Sequence, residues 1–506
     1  MRHIKTNLLK SFFQKNILSS SLIISILIIF YMPFNSLANN LQITNVTLTN
    51  DSTLTFSVSW ENSWKISTSP PNNHDAVWIF IKSKNCASVQ WQHVNISKNS
   101  ASHSTAAPLE IYIDTQDVAS NATGLFLRRS SDGSGNISNV QVSVRIAGLP
   151  LGQYDFKVFG IEMVQIPQGP FYLGDVVSHQ TFRGGGTSNP YYVNSETGHT
   201  VGNTSGQLYF LAHTNAYDVP NNNTLSNPLF PKGYAEFYCM KYEISQGQFV
   251  DFVNTLTTAQ YSNVALHTSA ASADYRFGYT GAHPVLVSTT PHRAACFLNW
   301  TDLLAYLDWA ALKPMTEMQF EKACRGPDYP VQWEFAWGSS ILTNSTVVAS
   351  DGTPSEHVTN SITAGGGIMN HGTNSNNWSG VKGPLRCGFA ANATSTRLTS
   401  GASYYGVLEM SGNVFEQVIT TCVYASSYNG NVGDGVLTVG ANAGFANQGW
   451  PYETAGQTSN SVGARTLRGG SYHTYNFYAT ISSRIYAGYR DNRRSVHQQY
   501  GGRGIR

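Results

Sequence analysis

The sequence predicts an α+β protein in which a β-sandwich precedes a loop-rich domain with a few short helices. Three observations favour this fold class: period-two alternation of apolar residues up to about residue 160, a change to Gly, Asn, Ser and Thr beyond it, and two helix-start motifs in the later part. The 506 residues exceed one typical domain of roughly 150 residues. We therefore expect a β-sandwich at 39–160 and a second domain at 161–506.

Residues 1–38 have the organisation of a signal peptide. A basic start leads into an apolar run at 17–34 and then into Asn35-Ser36-Leu37-Ala38. Small residues at the third and first positions before Asn39 fit a signal-peptidase site. The alternative is an uncleaved anchor, because the run is nearly long enough to span a membrane. Both interpretations predict export from a bacterial cell, to the periplasm, the cell surface or the medium, with membrane contact only through this segment if it is uncleaved.

Composition excludes several classes of function. Hydrophobic residues make up 41% and charged residues 12%, as in a globular protein rather than a disordered one. Removing the four basic residues of 1–38 changes the formal charge from +2 to −2, so we expect no nucleic-acid partner. The six cysteines include no C-x-x-C pair, which argues against a structural zinc site. Six cysteines in a chain of 506 residues are also too few for a disulfide scaffold.

The N-terminal domain shows the alternation of strands with one buried face. Leu54, Phe56, Val58 and Trp60 alternate with polar residues, and the segments 140–146 and 154–158 repeat the pattern. We predict a sandwich of immunoglobulin or fibronectin-III type. The tryptophans at 60, 64 and 78 could form a sugar-stacking platform, but core packing is the commoner role.

Helices are predicted where capping boxes begin. Ser245 is followed by Gln248, and Thr316 by Gln319, so that each hydroxyl can accept from an early backbone N–H while the Gln reaches back. Between the two boxes, Leu303, Leu304 and Leu307 form an apolar stripe at helical spacing.

Several ordered segments carry a family resemblance. They are Met163–Gly174, Tyr242–Asn254, His283–Val285, Asn299–Trp309, Lys313–Gly326, Phe335–Gly338, Gly406–Gln417 and Arg468–Tyr472. In this order they resemble the formylglycine-generating (sulfatase-modifying factor) family, which implies its C-type-lectin-like fold for residues 161–506.

The chemistry of that family does not follow from the resemblance. Members that convert a sulfatase cysteine to formylglycine have two cysteines just beyond the Gly-Gly-Ser-Tyr turn, where soft thiolates bind Cu(I). Here the stretch His473–Thr480 has no cysteine, and none occurs after Cys422. We therefore expect no copper, no catalytic residues and no formylglycine formation.

Calcium is the cofactor that the resemblance implies. The family's Gly-Asn-Val-x-Glu segment wraps Ca²⁺ with side-chain and carbonyl oxygens, the hard ligands that this ion prefers. The matching ligands are Glu409, the carbonyls of Gly412 and Val414, and Glu416. The alternative is that Glu416 caps a turn and Glu409 is solvated.

The segment 471–502 has the composition of a binding surface. It is rich in Tyr interleaved with Asn, Ser, His and Arg, as in antibody paratopes. Its position and composition resemble the variable proteins of diversity-generating retroelements, which use the same fold. The predicted contact residues are Tyr475, Asn476, Tyr478, Ser482, Tyr486, Tyr489, Arg490, His497 and Gln499.

Three functions remain open from the sequence. The first is an exported, non-catalytic protein that binds a protein or glycan ligand through this surface. The second is a structural component of a bacterial surface or secretion assembly, and the third a formylglycine-generating-like oxidase with altered chemistry. Packing of the tyrosines between loops is the simplest alternative to a binding role.

Overall fold

The protein is rich in short strands and poor in helix. The computed structural model describes residues 40–117, 120–150, 152–210, 225–264, 275–373, 379–422, 425–438, 446, 449–451, 464–488 and 497–506. The predicted signal peptide at 1–38 lies outside these residues.

Twenty-three strands occur in the described residues. They are β1 (Gln42–Asn50), β2 (Thr53–Lys65), β3 (Asp75–Asn85), β4 (Gln92–Val94), β5 (Ser104–Thr105), β6 (Leu109–Tyr112), β7 (Leu125–Arg129), β8 (Gly133–Arg145), β9 (Tyr154–Ile166), β10 (Phe171–Leu173), β11 (Arg183–Gly184), β12 (Tyr191–Val193), β13 (Leu208–Tyr209), β14 (Phe237–Met240), β15 (Tyr279–Thr280), β16 (Val287–Ser288), β17 (Leu342–Asn344), β18 (Val348–Ala349), β19 (His357–Val358), β20 (Gly367–Met369), β21 (Phe415–Ile419), β22 (Arg465–Arg468) and β23 (Tyr500–Gly501).

The α-helices of the described residues are α1 (Gln246–Val253), α2 (Thr258–Tyr261), α3 (Trp300–Trp309), α4 (Glu317–Arg325) and α5 (Arg397–Ser400). Two short 3-10 helices cover Ser100–Ser102 and Asn476–Ala479. None of the helices in the described ranges has the length and apolar character of a membrane span.

Two antiparallel sheets in the N-terminal region share one hydrophobic core. The first has the order β1-β2-β8-β5, and the second the order β14-β9-β3-β7-β6 with β4 paired to β3. Phe56 and Val142 of the first sheet belong to the same buried cluster as Ile79 and Leu127 of the second. The predicted alternation is confirmed, because Leu54, Phe56, Val58 and Trp60 are all buried. The immunoglobulin or fibronectin-III type of this arrangement stays a prediction.

The tryptophans predicted to pack in the core do so at two positions. Trp60 and Trp78 are at most 1% exposed, and their indole N–H groups donate to Asp75 Oδ2 (3.0 Å) and to the Ala310 carbonyl (2.9 Å). Trp64 is partly buried, with the Lys241 ammonium 5.0 Å from its ring.

The second sheet continues from the N-terminal region into the rest of the chain. β9 pairs with β3 along Tyr154–Val164, and its last residues pair with β14. The predicted domain boundary at 160/161 therefore falls inside one strand rather than in a linker.

Buried polar contacts also join the two regions, and Leu37–Arg506 form one compact unit. The Lys82 ammonium on β3 donates to the carbonyls of Trp309 and Gly435, both at 2.7 Å. Arg506, which is fully buried, donates to Asp114 and Asp117 and lies 4.0 Å from the Trp78 ring.

The two predicted helix starts are confirmed in atomic detail. In both boxes the hydroxyl accepts from the backbone N–H of the Gln, at 3.2 Å, while the Gln oxygen accepts from the cap N–H, at 2.9 Å. The predicted stripe Leu303, Leu304 and Leu307 lies on α3 and is fully buried. Beyond these helices, β21 pairs with β22 on one side and with β23 on the other.

Candidate functional site

A row of aromatic side chains lies at the surface of the C-terminal segment. Tyr475 stacks on Phe477 with ring centroids 5.4 Å apart, Phe477 on Tyr478 at 4.4 Å, and Tyr478 on Tyr486 at 5.1 Å. Tyr475 is 43% exposed, and the other three rings are partly buried. We call these four residues, with His179 and Trp333, the aromatic surface.

His179 and Trp333 extend the row from distant parts of the sequence. The exposed His179 ring lies 5.0 Å from Phe477 and 5.7 Å from Trp333, which is 37% exposed. Sequence reasoning missed both residues, because neither lies near the Tyr-rich segment and no local pattern links them to it. Phe477 lies inside that segment but is not among the predicted contact residues, because each of those carries a polar group and phenylalanine has none.

Buried arginines fix the backbone under the aromatic surface. Arg468 donates to the carbonyls of Ile481 (2.9 Å) and Ser483 (2.7 Å), and it is ion-paired with Glu321. Arg484 pairs with Glu317 through two bonds of 2.8 and 2.9 Å. The guanidinium group of arginine is planar and holds its N–H donors in a fixed geometry, so little side-chain freedom is lost when it pairs with a carboxylate. These pairs therefore hold the loop rigidly.

A glycine turn sets the start of the same segment. Gly469 and Gly470 have φ of +78° and +67°. A Cβ at Gly470 would lie 2.8 Å from the Cβ of Ala479, at the end of the 3-10 helix that carries Asn476 and Tyr478. Glycine is required here by both conformation and space.

The structure brings four predicted contact residues together and separates others. Tyr475, Tyr478 and Tyr486 are in the row, and the exposed Asn476 lies between the first two in sequence. Exposed His497 and partly buried Gln499 belong to the neighbouring segment, where the Gln499 side chain accepts from the Ser471 hydroxyl at 3.0 Å.

Ser482 differs from the surface position expected of it. It is 1% exposed, and its hydroxyl accepts from Arg325 at 2.7 Å, so it supports the loop from beneath. Tyr489 and Arg490 lie outside the described residues.

Thiols are absent from the segment where the family's copper ligands would lie. Residues 473–480 contain no cysteine. Cys239, Cys296, Cys324 and Cys387 are buried and form no disulfide. Burial raises the pKa of Cys239 to about 12 and those of the other three well above the usual value, so these groups stay protonated thiols.

The predicted calcium ligands lie on a loop with an unusual backbone. Glu409, Gly412 and Asn413 all have positive φ, of +55°, +89° and +63°. A Cβ at Gly412 would lie 2.8 Å from the Asn370 carbonyl oxygen. Left-handed non-glycine residues cost free energy and cluster at functional sites.

In each carboxylate of this loop, only one of the two oxygens has a hydrogen-bond partner. Glu409 Oε1 accepts from the Gly388 N–H at 3.0 Å, and Glu416 Oε1 accepts from Arg503 Nε at 2.6 Å. The second oxygen of each is buried without a hydrogen-bond partner. Among the described residues, no donor reaches the carbonyl oxygens of Gly412 or Val414 either.

Burial disfavours the ionised form of the carboxylates at this loop. Burial raises the pKa of Glu409 to about 7, although Arg503 opposes the shift. Burial also raises the pKa of Glu416, and that of neighbouring Glu243, where the charges of Glu416 and Glu409 add to the effect. The described residues contain no cluster of three or more His, Cys, Asp or Glu suited to a metal ion. A cation here would thus depend on two carboxylates and two carbonyls, all four with a free oxygen.

One family model matches the larger part of the chain. The model of the Sulfatase-modifying factor enzyme 1-like domain matches residues 158–506. The chain belongs to this family. The match begins inside β9, the strand shared by both regions. A search of curated proteins found no significant match.

Proposed function

We propose that this member of the sulfatase-modifying factor family is an exported, non-catalytic protein that binds a protein or glycan ligand through its aromatic surface. The observation that carries the proposal is the continuous row of stacked, partly exposed rings on a backbone fixed from beneath by Arg468 and Arg484. Rigid aromatic side chains give large contact area at low entropic cost. The absence of cysteine from 473–480 supports a binding role over thiol oxidation.

We further propose that the segment 471–502 is diversified by a retroelement. Exposed Tyr475 and Asn476 can change without disturbing the buried core, whereas Gly470 and the buried Trp337 cannot. Sequencing the gene in many isolates tests this. The proposal predicts variation at Tyr475, Asn476, Tyr478 and Tyr486 with a nearby template repeat, and no variation at Gly470 or Trp337. Fixed residues at all these positions would instead favour a structural component of a surface or secretion assembly with a constant partner.

Calcium is proposed as a structural cofactor of the loop Glu409–Glu416. The residues fit the ion, because the unpartnered oxygens of Glu409, Gly412, Val414 and Glu416 are of the type that Ca²⁺ prefers. The ion would supply positive charge to these buried carboxylates and would hold the strained loop in place. A rise in melting temperature when Ca²⁺ is added to chelator-treated protein tests the proposal, and no change would contradict it.

Export is proposed from the signal-like segment 1–38. Mass spectrometry of the protein recovered outside the cytoplasm should give an N-terminus at Asn39. Recovery of the whole chain from the cytoplasmic fraction would contradict export.

A further inference from the structure

Trp333 presents its side chain from a strained turn. It is the third residue of the turn 331–334, which the Glu334 N–H closes by donating to the Val331 carbonyl at 3.2 Å, and its φ is +58°. Glycine or asparagine usually occupies such a position, because a bulky side chain is crowded on a left-handed backbone. The indole is nevertheless 37% exposed rather than packed in the core. Strain of this kind is typical of functional sites.

The adjoining loop 175–180 is strained in the same way. Val176 and Gln180 have φ of +71° and +51°, and the side-chain oxygen of Gln180 is buried without a hydrogen-bond partner. His179, between them in sequence, is exposed. A β-branched residue in the left-handed region and an unsatisfied buried acceptor each cost free energy. These costs favour a function for the loop over a purely stabilising role.

The buried Asp175 carboxylate holds both segments in place. Its Oδ2 accepts from the Trp333 N–H at 2.9 Å and from the Ser178 hydroxyl at 2.6 Å, and its Oδ1 accepts from the Ser178 N–H at 2.8 Å. The Ser178 hydroxyl also lies 3.3 Å from that of Thr480, directly after the 3-10 helix Asn476–Ala479. One carboxylate therefore connects three segments of the aromatic surface.

The hydrogen-bonding groups of Trp333 and His179 are open to a ligand. No described residue accepts from the Trp333 indole N–H or bonds to either ring nitrogen of His179. The adjoining charged side chains, Glu334 and Arg484, are each in an ion pair, so neither offers a free charge to a ligand. The region thus combines aromatic ring surface with unoccupied hydrogen-bonding groups.

A sugar ring has the complementary chemistry. One face of many hexoses carries C–H groups that pack on the negatively charged face of an aromatic ring, while the hydroxyls of the sugar need hydrogen-bond partners. We propose that Trp333 and His179 form a subsite for a neutral hexose of a glycan ligand, and that Asp175 is the residue that positions them. This assignment rests on the proposed ligand-binding role of the aromatic surface. The subsite lies outside 471–502, so it is the constant part of a surface whose other rings are proposed to vary.

A glycan array tests the assignment with the whole chain. It carries neutral hexose oligosaccharides, each beside the same oligosaccharide capped with sialic acid. We expect binding to neutral glycans and no gain from the acid, because the charged groups beside the subsite are already paired. Binding only to the acidic glycans, or only to members of a displayed peptide library, would overturn the hexose subsite and leave the ligand-binding role in place. No binding to glycans or peptides would overturn both proposals.

Trp333→Gly separates the role of the indole from that of the fold. Glycine tolerates the left-handed backbone, so the melting temperature should stay level or rise. The affinity for the glycan that the wild type binds best on the array should nevertheless fall at least about tenfold. Unchanged affinity in Trp333→Gly would refute the subsite.

Asp175→Asn tests the positioning role. The amide keeps the shape of the carboxylate but cannot accept from all its donors, so the affinity for the same glycan should fall about tenfold. The matched control is Asp75→Asn, which changes another buried carboxylate that accepts from three donors of β2. This control should lower the melting temperature and leave glycan affinity unchanged. Equal affinities in the two variants would refute a positioning role for Asp175, and Trp333→Gly tests the subsite even if Asp175→Asn does not fold.

Discussion

Arg506 is the residue through which the end of the family domain is anchored in the N-terminal region. Its guanidinium, fully buried, donates to Asp114, Asp117 and the Ala311 carbonyl, and it lies over the Trp78 ring. Arg506→Met keeps most of the side-chain volume but leaves two buried carboxylates without their cation.

The expected cost of Arg506→Met is large. Removing one partner of a buried ion pair typically costs about 3–5 kcal/mol, because the remaining charge is left uncompensated in a poorly solvated place. Loss of the contact with Trp78 adds to this by up to about 1 kcal/mol. The free energy of unfolding of Arg506→Lys should lie between those of Arg506→Met and the wild type. The lysine ammonium keeps the charge but cannot contact both aspartates as the planar guanidinium does.

Urea unfolding of residues 39–506, followed by tryptophan fluorescence, measures the change in free energy of unfolding. We expect one transition for the wild type, because β9 belongs to both regions. The matched control is Arg183→Met, which removes a partly exposed guanidinium 4.8 Å from the Tyr209 ring and should cost less than about 1 kcal/mol. An Arg506→Met protein no less stable than Arg183→Met would refute the reasoning.

Three further predictions concern the calcium loop, the helix start and the missing thiols. Because the folded-state pKa of Glu409 is raised from 4.5 to about 7, metal-free protein should lose stability as pH rises through this interval, by up to about 3 kcal/mol. Glu409→Gln should remove much of that loss of stability with pH. It should also remove the stabilisation by Ca²⁺ in melting curves at pH 8, whereas the exposed control Asp328→Asn should change neither effect. An unchanged pH profile of stability in Glu409→Gln would contradict this. Thr316→Ala should lower the free energy of unfolding in urea by about 1–2 kcal/mol, because the fully buried Thr316 hydroxyl also donates to the Pro231 carbonyl. Thr396→Ala, at an exposed helix cap, should lower it by about 0.5 kcal/mol. Equal losses in the two variants would show that burial of the cap adds nothing. Copper-loaded protein given a cysteine peptide should consume no oxygen above a blank, and turnover would favour an oxidase with altered chemistry.

Local patterns predicted the elements that depend on local physics. The alternation around Phe56 identified β2, and the hydroxyl and amide spacing at Thr316 identified the start of α4 down to its two reciprocal bonds. These features need only neighbouring residues, so the sequence contains all the information required.

Contacts between distant residues were beyond such reasoning. Serine is a residue type typical of binding surfaces, but Ser482 is buried, and its hydroxyl accepts a hydrogen bond from Arg325 on α4. The pairing of Arg503 with Glu416 and of Arg506 with Asp117 likewise joins positions far apart in the chain. Each is set by tertiary packing, for which no periodicity or spacing gives a signal.

The central claim is that the aromatic surface binds a ligand, and direct binding tests it best. A glycan array and a displayed peptide library compare three proteins: the wild type, the double variant Tyr475→Ala/Tyr478→Ala and the control Tyr192→Ala. Tyr192 is 45% exposed and lies outside the aromatic surface. We predict ligands that the wild type and the control hold equally and that the double variant binds at least about tenfold more weakly. Ligands held equally by all three proteins, or no ligand for the wild type, would contradict a binding role for this surface.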